Sequence, residues 1–85
     1  MSMMDLLDTV DLMDGDYKDR FRAEYIQLAI RLERLITMLK RLDRGVLEFE
    51  PTCPEDMLWK QAHIMEDYKI ILEERAVLEG IDLDI

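Results

Sequence analysis

Seven side chains in this 85-residue sequence have the chemistry to hold a phosphorylated aromatic ligand: Tyr17, Lys18, Arg20, Arg22, Tyr25, Tyr68 and Arg75. Guanidinium groups grip phosphate oxygens through forked, charge-assisted hydrogen bonds, and aromatic faces stack on bases. Residues 17–25 hold five of the seven, and Tyr68 and Arg75 lie far along the chain. They form one site only if the chain folds back on itself, bringing residues 17–25 beside residues 68–79. A structural use of the same residues is equally concrete. Arg75 can pair with Asp16, Asp19 or Glu24 while its aliphatic stem covers the core, and the tyrosines can be core residues with a wet hydroxyl.

Other reactive residue types are sparse. His63, Glu66 and Asp67 form an H-x-x-E-D string, and a His and Glu three apart share a helical face, as in di-iron carboxylate bundles. Such a site needs further inward carboxylates, which Glu24 and Glu33 would supply only across an oligomer interface. His63 is the sole histidine, so it reads as a surface or interface residue, and no metal is expected. Cys53 opens a helix, where a thiol pKa can fall, but no general base lies nearby, and packing beside Pro54 is its expected role. The sequence contains no glycine loop for phosphates, no Ser/His/Asp set and no zinc motif. Neither a catalytic residue nor a cofactor is expected.

Two long helices are needed to position these groups. Phe21, Tyr25, Leu28, Leu32, Leu35, Leu39 and Leu42 follow a strict 4-3 spacing and stack along one helical face. Met57, Gln61, Ile64, Tyr68, Ile71, Arg75 and Leu78 repeat the spacing. Gln61 is either an edge position or a polar residue that sets register. Each helix also carries apolar residues opposite its stripe: Ala23, Ile26, Ile30 and Thr37 on the first, Trp59, Ile70 and Val77 on the second. A lone hairpin buries one face per helix, so these seven are expected to form an oligomer interface. The fold class is therefore all-α, an antiparallel helical hairpin with a short N-terminal helix, assembling into a homo-oligomeric helical bundle.

The boundaries follow from local signals. Residues 1–15 read as a short amphipathic helix over 3–13, begun at Ser2 and broken at Asp14-Gly15-Asp16. Residues 16–80 form the hairpin: a helix over 16–44 capped by Asp16 and stopped at Gly45, a connector over 45–52, and a helix over 53–79 stopped at Gly80. Val46, Leu47 and Phe49 of the connector are expected to plug the closed end. Thr52 suits an N-cap, with Glu55 completing a capping box and Pro54 tolerated in the first turn. Residues 81–85 alternate apolar and acidic side chains, which suits either an extended segment docked in a groove or a disordered terminus.

Composition narrows the partners. A single small domain with one cysteine has no intrachain disulfide to support a small core, and oligomerisation is the common alternative. The net charge of −9 is distributed as −5 over residues 1–16, +4 over 17–44 and −8 over 45–85. A basic helix between acidic segments suits neutralisation within the hairpin or a phosphate-bearing ligand. The overall field repels polyanions, so direct nucleic-acid binding is not expected. There is no run of 18 apolar residues and no basic-then-apolar leader, so a soluble intracellular protein without membrane contact is expected.

The segments DYKDRFRAEYIQL, LEFEPTCPEDML and YKIILEERAVLEGIDL resemble small phage and prophage proteins of the crAss-phage-related small hairpin family. The resemblance covers roughly residues 16–83. It implies a phage origin, the host cytoplasm and an accessory role directed at the host. A weaker, architectural likeness links the chain to phage hairpins that sequester cyclic-nucleotide signals of bacterial defence. The resulting expectation is a non-enzymatic counter-defence protein that binds a cyclic nucleotide or ADP-ribose-type signal. The alternatives are an inhibitor of a host defence protein, in the manner of an anti-CRISPR, and a purely structural oligomer.

Overall fold

The computed structural model describes residues 14–83 and contains two α-helices, α1 (Asp14–Asp43) and α2 (Glu55–Glu79), packed side by side as a hairpin. The short helix expected over 3–13 lies outside the described residues. Asp14-Gly15-Asp16 forms the first turn of α1, which therefore starts ahead of Asp16. Lys40 and Arg41 in its last turn complement the negative end of the helix dipole.

Packing of α1 follows its leucine stripe. Phe21, Leu28, Leu32 and Leu39 are buried, and Tyr25, Leu35 and Leu42 pack against them. The face that α2 presents is a different one from its 4-3 stripe. Ala62, Leu72 and Ala76 are buried, with Leu58 and Met65 packed beside them. This line is turned round the helix by roughly 100°, one residue's rotation, from the stripe. The reason is steric complementarity. Bulky side chains from α1 need small ones opposite if the axes are to close, and Ala62 and Ala76 supply them. As a result Met57, Ile64, Ile71 and Leu78 of the stripe stand 52%, 61%, 51% and 85% exposed.

Both helices end in the same device. Gly45 and Gly80 have φ of 72° and 69°, the left-handed region that an L side chain resists. After α1, Gly45 N–H donates to the Leu42 carbonyl and Val46 N–H to that of Arg41, both at 3.0 Å. After α2, Gly80 N–H donates to Val77 at 3.4 Å and Ile81 N–H to Ala76 at 2.8 Å. These paired bonds satisfy carbonyls that the helix leaves open, and they aim the following residue back at the hairpin. Ile81 is thereby buried among Phe21, Leu28, Leu72 and Ala76, and Leu83 packs on the same cluster. Residues 81–83 thus lie against the open end of the hairpin.

The connector departs from expectation at two points. Pro54, extended at φ −60° and ψ 147°, precedes α2 without a side-chain cap, so Thr52 and Glu55 form no capping box. A residue before proline is pushed away from helical geometry, which moves the start past Cys53. Glu55 instead accepts a hydrogen bond from Trp59 Nε1 at 3.2 Å. Val46 and Phe49 are exposed, because Leu39, Leu42 and Leu58 already fill the closed end. Leu47 and Phe49 border a recess on the back of α1 that Ile30, Arg34, Met38 and Arg41 also line.

A Cβ at Gly80 would meet nothing within 4 Å, so a substitution there tests the backbone alone. Gly80→Ala should lower stability in urea unfolding by about 1–2 kcal/mol, and Gly80→Asn by less, since Asn tolerates the left-handed region. Equal losses from both would contradict this account of the helix end.

Candidate ligand-binding groove

The open end of the hairpin does not gather the seven candidate residues into one pocket. Tyr17 Oη donates to Glu79, and Arg75 donates through Nη2 to Tyr17 Oη at 2.9 Å and through Nε to Glu79 at 3.1 Å. The Arg75 guanidinium carbon also lies 4.9 Å from the centre of the Phe21 ring. Arg75 thus covers the core edge as the structural alternative supposed, with Glu79 as the paired acid in place of Asp16, Asp19 or Glu24. The hydrogen bond from Tyr17, reinforced by Arg75, holds the Glu79 carboxyl below the usual carboxylate range. The same bond, with some burial, pushes the Tyr17 phenol up.

Two more of the seven are engaged on the other flank. Tyr25 Oη donates to Glu73 at 2.6 Å, and Lys69 approaches that carboxylate at 3.7 Å. Arg22 donates through Nε to the Asp82 carbonyl at 2.7 Å and pairs with Asp19 at 3.2 Å. Arg22 therefore pins the tail whose Ile81 fills the space between the helix ends. Lys18 is in no ion pair among the described residues.

Arg20 and Tyr68 remain, and they line a groove of about 640 Å³ between the helices. On α1 its wall is the row Arg20, Glu24, Gln27 and Arg31, whose 4-3-4 spacing sets all four on one flank. On α2 it is lined by Gln61, Met65 and Tyr68, and Ala23 and Leu28 add apolar surface. Among the described residues neither Arg20 nor Arg31 has an ion pair, so both forks are available to an anion. Tyr68 offers a half-exposed ring, and Glu24, Gln27 and Gln61 offer acceptors and donors for polar edges. The arrangement suits a compact ligand with both phosphate and an aromatic base. Gln27 and Arg31 were missed as site residues because the leucine stripe beside them dominates the helix. The legible signal was the polar 4-3-4 row itself.

The remaining candidates are scattered. Ala23 belongs to the groove, Ile26 and Trp59 are half-buried, and Ile30, Thr37, Ile70 and Val77 are exposed. His63 packs edge-on to Trp59 with ring centres 6.4 Å apart, in a depression that Glu66 and Asp67 also line. No group of three metal-type ligands converges among the described residues, and Cys53 is a half-buried free thiol.

A family model, Sequestin, matches residues 15–78, which include both helices of the groove and every residue of its walls. The chain belongs to the Sequestin family. The family name points to sequestration of a ligand. No curated protein and no solved structure matches the chain. Among the described residues no helix is long and apolar enough to cross a membrane.

The Tyr25–Glu73 bond gives a pH-dependent test. Accepting from the phenol, Glu73 pushes the Tyr25 pKa from 10.0 up to about 12, with burial adding to the shift. A folded pKa above the unfolded one means a contribution that is complete below pH 10.0 and lost as pH rises towards 12. Ultraviolet titration of the phenols should show a late component that Tyr25→Phe removes and Glu73→Gln moves to lower pH. A component unaffected by Glu73→Gln would contradict the assignment.

Proposed function

We propose that this chain is a phage counter-defence protein that sequesters a nucleotide immune signal in the groove beside Tyr68, without chemical turnover. The observation that carries the reading is the pair of guanidinium groups, Arg20 and Arg31, which have no ion pair among the described residues and flank an accessible phenol ring on a chain of net charge −9. A protein so acidic repels anions at long range, so a local basic recess with an aromatic surface selects small, compact phosphates over nucleic acid. Membership of the Sequestin family supports the sequestering role. The ligand class proposed is a cyclic nucleotide or an ADP-ribose derivative, held by guanidinium–phosphate bonds and base stacking. The setting proposed is the cytoplasm of an infected host.

A second reading has its own observation. The exposed apolar residues of α2 suit a protein partner, and inhibition of a defence effector by direct contact would use them. The two readings differ in what co-purifies from defence-active cells: a small molecule released unchanged on heating, or a host protein.

For the sequestration reading, Arg31→Ala and Arg20→Ala should each remove charge-assisted bonds worth ~1.5–3 kcal/mol, a loss in affinity of about ten- to hundredfold. Tyr68→Ala should cost ~1–3 kcal/mol if the ring stacks on a base. Arg22→Ala and Arg75→Ala should lower thermal stability and leave affinity nearly intact, because their partners are Asp82 and Glu79. Calorimetry with the recovered ligand checks this. Greater losses at Arg22 and Arg75 than at Arg31 would move the site to the open end.

A further inference from the structure

The groove is open along one side, and the surface that borders it there is the exposed stripe of α2. Tyr68 and Gln61 belong to both. The stripe is palindromic in residue type about Tyr68. Reading outwards, Ile64 matches Ile71, Gln61 matches Arg75, and Met57 matches Leu78. Apolar residues therefore meet apolar ones, and polar meet polar, when two such helices lie antiparallel with Tyr68 at the centre. An isologous contact requires this, since residue i must meet j while j meets i. A parallel pairing would set Arg75 against Arg75. The stripe spans 21 steps, about 32 Å at ~1.5 Å each.

The row on α1 carries one pair of opposite charges related by the same kind of symmetry. Glu24 and Arg31 stand on either side of Gln27 and Leu28, and these two line the groove together with Tyr68. One two-fold axis at that level pairs Glu24 with Arg31 of the second copy, twice. We infer that a second copy of this chain docks antiparallel on the Met57–Leu78 stripe, joins the two grooves into one chamber between hairpins, and completes the ligand site. Resting on the groove reading above, the inference adds that the ligand is enclosed by both subunits and that Arg20 of each points at the shared space. The −9 charge of each copy opposes association at long range, and physiological salt screens it within about 8 Å.

Sedimentation equilibrium of the full chain at physiological ionic strength tests this. The wild type should have twice the 10.2 kDa chain mass. Ile64→Glu with Ile71→Glu should give a monomer of unchanged helical circular dichroism, since both side chains lie outside the hairpin core. Glu24→Arg and Arg31→Glu should each weaken the dimer roughly tenfold, and the two together should restore it. A wild-type monomer overturns the inference. So does a dimer that survives Ile64→Glu with Ile71→Glu but falls apart with Ile30→Glu and Ile70→Glu, which would place the interface on the back ridges. Binding of cyclic di-AMP and ADP-ribose, followed by calorimetry, separates this from the groove reading. A monomer that binds either probe counts against the second copy alone, and a dimer that binds neither counts against the groove as a nucleotide site alone.

Discussion

The leucine face of α1 needs small side chains opposite it, and α2 offers them along the line through Ala62 and Ala76. Leu39 and Leu72 are wholly buried by that choice, each a contribution of roughly 1.5–3 kcal/mol. The alternative, burying the 4-3 stripe of α2, would hide more branched apolar surface but would bring Gln61 and Arg75 into the core unpaired. Their desolvation, together with the wider helix separation that Ile64 and Ile71 would impose, favours the alanine line. The rotation of α2 about its own axis is set by this balance, and the rest of the molecule inherits it.

The rotation leaves Met57, Ile64, Ile71 and Leu78 facing outwards on one side. It also sets Gln61, Tyr68 and Arg75 at the margin, next to the polar row of α1. Arg75 then finds Tyr17, Glu79 and the Phe21 ring, while Tyr68 finds the groove with Arg20 and Arg31. The open end is closed separately. Gly80 turns the chain so that Ile81 enters the core, and Arg22 fixes the backbone one residue later. With Tyr25 bonded to Glu73, four of the seven candidate residues are engaged within the hairpin, and the candidate groove lies on its flank and not at its mouth.

Much of the fold was legible in the sequence. The leucine stripe of α1, the two terminating glycines and the antiparallel arrangement follow from periodicity and backbone conformation. What misled was α2, which is apolar on three sides. Periodicity alone assigns the most regular stripe to the core, whereas packing selects by volume, and Ala62 and Ala76 carry little weight in a hydrophobic pattern. The site was legible in residue type and less so in place. Arginine and tyrosine near residues 17–25 and 68–75 are present as read, but Asp82, Glu73 and Glu79 lie close in space and remote in sequence, so their claims on Arg22, Tyr25 and Tyr17 could not be seen. Arg31 and Gln27 lay hidden in the row beside the leucines.

We propose that ligand recognition occurs on the flank between Arg20, Arg31 and Tyr68 and not at the mouth of the hairpin. Heteronuclear NMR of the labelled protein, titrated with the small molecule recovered from heated complex, tests it most directly. The largest shift changes should fall on the side chains of Arg20, Gln27, Arg31 and Gln61 and on the Tyr68 ring. Changes centred on Tyr17, Arg22, Tyr25 and Arg75, with the flank unmoved, would contradict it.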